Sequence, residues 1–141
     1  MAKIKIDKAD KYFSLCVRER ANWSCEHCQT EFDINSRGSL QCAHIYGRVN
    51  KALRQEPLNA FALCFSCHKL FSENPCDFTK FIYKKLGQIK LDVLDEKRFN
   101  KVKYDKEFID EAAEHYKKEF AEMRERREQG ETGRIEFVGL I

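Results

Sequence analysis

Two Cys-x-x-Cys pairs constrain this chain more than any other feature. Cys25/Cys28 and Cys64/Cys67 stand in the pattern Cys-x2-Cys-x35-Cys-x2-Cys. Two cysteines with two residues between them can place both sulfurs about 2.3 Å from one Zn²⁺, and two such pairs complete a tetrahedral shell with no open position. The pattern therefore predicts a structural zinc ion rather than a catalytic one. The alternative is four unrelated reduced cysteines. The long intervening loop is no obstacle, because closure entropy grows slowly with loop length. Metal binding would provide much of the folding free energy of a small central core. Cys42 and Cys76 are left over without a partner at ligand spacing. Cys16 lies on an apolar helical stripe, where a free cysteine acts as a small core residue.

The redox setting follows from what surrounds these thiols. Seven cysteines in 141 residues could signal disulfides. The opening Met1-Ala2-Lys3-Ile4-Lys5 has no apolar h-region, however, so secretion is not expected. No apolar run approaches the roughly 20 residues of a membrane helix. Paired Cys-x-x-Cys in a reducing compartment reads first as metal binding, and the expectation is a cytoplasmic, zinc-stapled protein without a membrane partner. The length suits one domain, and a formal net charge of +3 does not by itself announce a nucleic-acid binder.

Taken in order, residues 1–6 are short, basic and expected to fray. From Asp7 the pattern is helical, with Tyr12, Phe13, Cys16 and Val17 on one stripe and an end near Ala21-Asn22. Trp23 to Cys28 has the shape of a zinc knuckle, with His27 exposed inside it rather than a ligand. Gln29 to Arg37 reads as a polar loop ending at the breaker Gly38. Ser39 to Ile45 forms a short strand carrying His44, and Tyr46 to Arg54 a basic loop. Phe61-Ala62-Leu63 is a second strand delivering Cys64 and Cys67, and a helix carrying His68 starts from Ser66. Asp77 caps a helix through Leu86 that Gly87 closes. Leu91 to Phe99 reads as another short helix. Asp105 caps a long one to about Glu128, with Phe108, Ile109, Ala112, Ala113, Tyr116, Phe120 and Met123 as its apolar stripe and His115 exposed. Ile135 to Val138 reads as a terminal strand or a segment that docks on a partner.

The pieces Cys25-Glu26-His27-Cys28, Cys42-Ala43-His44-Ile45, Asn59 and Cys64-Phe65-Ser66-Cys67-His68 resemble, in order and spacing, the HNH endonuclease family with its ββα-metal fold. More narrowly, Ala43-His44-Ile45-Tyr46-Gly47-Arg48, Ala52-Leu53-Arg54 and Asn59-x4-Cys64 look like the phage recombination endonucleases of the NinG type. The resemblance covers roughly residues 20–75. It implies an α+β chain in which a zinc-stapled ββα-metal core is flanked by an N-terminal helix and a C-terminal helical extension. The corresponding division is 1–75, helix plus nuclease core, and 76–141, extension and tail, integrated into one domain.

The resemblance also implies roles. His44 would be the general base that takes a proton from the attacking water, for which a neutral imidazole is suited near pH 7. Asn59 would hold the His44 ring by a hydrogen bond. His68 would bind a single divalent ion, Mg²⁺ or Mn²⁺, that stabilises charge on the scissile phosphate and leaving oxygen. Imidazole also suits Ni²⁺ and Co²⁺. One departure stands out: where many HNH sequences carry Asp or His just before the base, this chain has Ala43. Gln41, Cys42 or Glu73 could take that ligand's place.

Arg48, Lys51 and Arg54 crowd the loop after His44, and Lys69 follows His68. Around a phosphodiesterase site these would hold phosphates, positioning DNA without reading its sequence. The leading expectation is thus a metal-dependent DNA endonuclease hydrolysing phosphodiester bonds, on recombination or branched DNA in a phage setting and in the host cytoplasm if phage-encoded. The long C-terminal helix leaves room for a homodimer. The other expectation is a catalytically inactive zinc module binding DNA or a protein partner, which Ala43 favours.

Overall fold

Asp7 and Asp10 start the first helix by capping each other. The Asp10 amide donates to Asp7 Oδ1 at 2.9 Å, and the Asp7 amide donates to Asp10 Oδ2 at 3.0 Å. The helix so begun, α1 (Lys8–Arg20), buries Ala9, Phe13, Cys16 and Val17. The structure, a computed structural model, describes residues 4–35 and 39–141. The expected fraying of residues 1–3 and the Gly38 end of the polar loop lie outside the described residues. After α1, Asn22 and Trp23 take left-handed φ values of 53° and 58°, uncommon for non-glycine residues. The buried Trp23 ring holds that turn, donating its Nε1–H to Glu19 Oε2 at 2.9 Å.

Strand β1 (Leu40–His44) pairs antiparallel with β2 (Ala60–Cys64), Leu40 opposite Cys64 and His44 opposite Ala60. A 3₁₀ turn at Pro57–Asn59 leads into β2, the Leu58 amide donating to Glu56 Oε2 at 2.7 Å. Helix α2 (Phe65–Glu73) follows β2 directly, giving a continuous strand–strand–helix succession. Helix α3 (Pro75–Lys97) starts two residues ahead of the expected cap at Asp77, with Pro75 in its first turn. Gly87, at φ 77° and ψ 169°, interrupts it, so the break expected there is present as a kink between two helical halves. Helix α4 (Lys106–Glu128) begins where Asp105 Oδ1 accepts the Phe108 amide at 2.9 Å.

Among the described residues the chain is α+β: four α-helices and one two-stranded antiparallel sheet. A single apolar core runs from Ala9 to Phe137 and joins both halves of the sequence. Helix α4 packs along α1, burying Ala112, Ala113, Tyr116 and Met123. The apolar stripe that left room for a homodimer is therefore spent inside the chain.

The terminal segment is neither strand nor free. Ile135 and Phe137 are buried, and the Phe137 ring meets Phe13 and Tyr116 edge-on. Its backbone is held by Arg20, Glu119 and the Tyr116 hydroxyl. His115 Nε2, expected in solvent, lies 2.7 Å from the Val138 carbonyl oxygen. No helix among the described residues is long and apolar enough to cross a membrane.

Candidate functional site

The two cysteine pairs meet. Cys25 and Cys28 sit on the knuckle after Trp23, where the Gln29 amide donates to the Cys25 carbonyl at 2.9 Å and Gln29 itself has φ 67°. Cys64 ends β2 and Cys67 lies in the first turn of α2. The four sulfurs all lie within 4.8 Å of one another, and Cys28 and Cys64 are 3.8 Å apart. A tetrahedron with 2.3 Å Zn–S bonds has edges of about 3.8 Å, so this cluster is of the size that could hold a zinc ion. No disulfide competes, since all seven cysteines are free.

Polar contacts reach two of the sulfurs, and burial pushes the Cys67 thiol up. The Cys67 amide points at Cys64 Sγ (3.4 Å), and the Thr30 hydroxyl lies 3.1 Å from Cys28 Sγ. Thr30 pulls the Cys28 thiol down to about 6, while burial pushes Cys25 up. His27 is exposed, as expected, yet it is not idle. Its Nδ1 lies 3.3 Å from Cys67 Sγ, and its ring packs on Phe71 and Phe81.

Glu26 anchors the knuckle to the hairpin. Its amide donates to the Ala62 carbonyl (2.8 Å), its Oε2 accepts the Ala62 amide (2.7 Å), and Arg134 covers Oε1 at 2.9 Å. This buried glutamate and its partner 108 residues away carry no local signature in the sequence.

The hairpin then sorts the candidate catalytic side chains. Strand pleating puts Gln41 and Ala43 on the face toward α2, and Cys42 and His44 on the face toward α1. On the first face, His68 Nδ1 lies 2.6 Å from Gln41 Oε1. An amide oxygen only accepts, so Nδ1 carries the proton and Nε2 presents its lone pair. On the second face, the His44 ring lies 6.1 Å from Phe13, and its Nε2 is 3.1 Å from the Arg54 carbonyl oxygen. By the same argument Nε2 is protonated and Nδ1 is the basic nitrogen.

Burial, and then the charge of Arg48, pushes His44 down to about 4. Burial and Arg48 also lower His68. Arg48 is thus the common neighbour of both imidazoles. Both rings are neutral at pH 7.

Asn59 is placed differently from expectation. Its Nδ2 donates to the carbonyls of Tyr46 (2.9 Å) and Leu53 (3.0 Å), while its Oδ1 accepts the Tyr46 amide at 2.9 Å. Its own carbonyl accepts the Ile45 amide. Asn59 therefore fastens both ends of the loop that follows His44 rather than the ring itself. Among the described residues no hydrogen bond joins His44 to Asn59 or to His68. The Arg54 carbonyl, on the loop Asn59 holds, does the orienting.

The basic residues divide. Lys51 is exposed, and Lys69 is exposed beside Glu73 at 4.0 Å. Arg48 is half-buried with Nε 3.9 Å from Asp10. Arg54, expected to grip phosphate, points inward. It is 6% exposed, holds both oxygens of Asp10 (3.1 and 2.7 Å), reaches Asp7, donates to the Lys5 carbonyl and lies over the Tyr104 ring.

Of the three side chains that could stand in for a ligand at Ala43, Gln41 is the one beside His68. Cys42 faces the opposite side, its thiol pushed up to about 11 by burial, and Glu73 is exposed and paired with Lys69. His68 thus offers one imidazole nitrogen, with an amide behind it and no carboxylate beside it, a softer donor than Mg²⁺ prefers. Among the described residues the four-cysteine cluster is the one group of three or more His, Cys, Asp or Glu arranged to hold a metal. Comparison with protein-family models, with curated proteins and with solved structures finds no match.

Proposed function

We propose that this chain is a metal-dependent DNA endonuclease of the HNH type, stapled by a structural zinc ion on Cys25, Cys28, Cys64 and Cys67. The observation that carries this reading is the antiparallel β1–β2 pair running directly into α2. A neutral histidine ends β1, a second neutral histidine opens α2, and the four sulfurs lie where α2 begins.

The chain's own residues then have distinct tasks. His44 accepts the proton of the attacking water at Nδ1, with Nε2–H fixed on the Arg54 carbonyl. Asn59 is a positioning residue, because it fixes the loop bearing that carbonyl. His68, oriented by Gln41, offers Nε2 to a divalent ion. That ion, Mn²⁺ or Mg²⁺, supplies Lewis-acid stabilisation of the charge that develops on the phosphate and leaving group. Arg48, Lys51 and Lys69 hold flanking phosphates without reading bases. Arg54 drops out of that group and serves the loop from inside. Action on recombination or branched DNA in a phage setting extends the same reading by resemblance.

A second reading, a zinc module that binds DNA or a protein without cutting, is favoured by one observation. Ala43 is fully buried and offers no ligand where a carboxylate would be useful. Supercoiled plasmid separates the two. With Mn²⁺, the wild type is expected to nick and folded, zinc-loaded His44→Ala is not. Equal nicking by both would remove His44 from the mechanism.

A further inference from the structure

A cleft of about 590 Å³, lined by neither His44 nor His68, lies between the knuckle, α2 and the first half of α3. That volume is in the range of small-molecule and nucleotide sites. Its floor is aromatic. Phe71 and Phe81 are themselves buried, 4% and 8% exposed and 5.0 Å apart, and they back the His27 ring at 4.8 and 5.6 Å. His27 is exposed at the rim but fixed there, by those two rings and by Cys67 Sγ at 3.3 Å. A ring held in this way offers a π-surface at little entropic cost.

One wall is cationic. Lys80, Lys84 and Lys85 project from α3, all exposed; the Lys85 ammonium lies over the Phe81 ring at 5.8 Å, and among the described residues no ion pair engages the three. The basic residues at the end of α4 differ, since Arg124, Arg126 and Arg127 are each paired with a glutamate. Two carboxylates also reach the cleft. Glu26 is covered by Arg134 at 2.9 Å, which leaves Asp77 alone against three ammonium groups.

We infer that this cleft binds an unpaired nucleotide segment of a nucleic-acid strand, its base against the exposed His27 ring that Phe71 and Phe81 hold in place, and its phosphates along Lys80, Lys84 and Lys85. Bases stack on aromatic rings whatever their identity, and lysines follow a backbone without fixed geometry, which is how sequence-tolerant single-strand binding is built. A duplex keeps its base faces stacked inside and can offer this cleft only phosphates. The inference deepens the nuclease reading and rests on it for the choice of nucleic acid over an acidic peptide. It assigns a substrate with a single-stranded portion, a flap, gap or branch, held beyond the cutting site.

The test uses the full, zinc-loaded chain without added divalent ion. It measures binding of a labelled oligothymidylate carrying one bromodeoxyuridine, and of a blunt duplex of equal length. The expected result is tighter binding of the single strand and a loss of at least about tenfold for it in Lys80→Glu/Lys84→Glu, larger than the loss for the duplex. Light-induced cross-links should map to His27 or to the Leu70–Phe71 and Phe81 segments. Unchanged single-strand affinity in the double variant would overturn the inference. So would equal losses for both probes, cross-links elsewhere, or equally good competition by an acidic peptide of matched charge. Plasmid nicking, run in parallel, tests the nuclease reading separately. Absence of nicking with cleft binding retained would remove that reading and leave the cleft assignment standing.

Discussion

Replacing Arg54 with methionine, which keeps the stem and removes the guanidinium, separates two accounts of this residue. Asp10 is 3% exposed, and Arg54 holds it at both oxygens, at 3.1 and 2.7 Å. Burial pushes the Asp10 carboxyl up, but the bonds from Arg54 and the Asp7 amide outweigh it and hold the group below the usual carboxylate range. Without Arg54, Asp10 keeps only Gln55 at 2.9 Å, the Asp7 amide at 3.0 Å and a distant Arg48 at 3.9 Å. Removing one partner of a buried ion pair costs about 3–5 kcal/mol, because the other charge stays behind. For a chain of this size that is a fall in melting temperature on the order of 10–15 °C, a large part of the roughly 5–15 kcal/mol of a typical domain.

The sign of the pH dependence follows. In the variant the unpaired, buried Asp10 has its folded pKa raised above the unfolded value, so the folded state binds the extra proton and gains stability as pH falls. The gap between variant and wild type should therefore narrow from pH 7 to pH 5. Asp10→Asn in the Arg54→Met background should recover part of the loss. Thermal unfolding followed by circular dichroism reads all of this. A melting temperature within about 2 °C of wild type, together with weakened DNA binding, would refute the inward role and return Arg54 to the phosphate-contacting set.

Three further outcomes are expected. The acid limb of kcat/KM for nicking should fall near pH 4–5 rather than 6.5, because burial and Arg48 push His44 down to about 4. Arg48→Gln removes the second cause and should move the limb upward, whereas an unchanged limb would show that another group titrates. In the metal-loaded protein Cys76 alone should react quickly with a thiol reagent, Cys16 being buried, Cys42 half-buried with its thiol pushed up to about 11, and the other four being ligands. After chelation four more thiols should react and the melting temperature should drop, while equal thiol counts before and after would speak against a bound metal. Gln41→Leu should raise the Mn²⁺ concentration needed for half-maximal nicking about tenfold or more, as loss of an orienting partner does for a metal-ligating histidine. No change in that requirement would mean that His68 does not hold the ion.

Much of the scaffold was legible because its signals are local. The helical pattern from Asp7, the cap Asp105, the short strand carrying His44, the break at Gly87 and the spacing of Cys25, Cys28, Cys64 and Cys67 each act within a few residues. What the sequence hid are pairings between distant residues. Arg54 sits in a run of basic residues and reads as a surface cation, but its partner Asp10 is 44 positions away. Ile135 and Phe137 look like an unclaimed strand because the α1–α4 surface they fill is assembled only on folding. Asn59 lies just before β2 and reads as a partner for the His44 ring, yet its amide is taken up by the loop backbone. One asparagine offers two donors and an acceptor, and residue type alone cannot say that the Tyr46 and Leu53 backbone takes them. Glu19 and Glu26, buried under Arg124, Arg127 and Arg134, are invisible for the same reason.

The most direct test is a divalent-ion titration of plasmid nicking by zinc-loaded wild type, His68→Ala and His44→Ala, with zinc content and melting temperature checked for each. The account predicts saturable nicking by wild type with Mn²⁺, stopped by chelation and restored by readdition. It predicts a much higher Mn²⁺ requirement for His68→Ala, and no nicking by His44→Ala at any ion concentration. Wild type that shifts duplex DNA equally well with and without added ion, and cuts it under neither condition, would contradict the account and leave a zinc-stapled binding module.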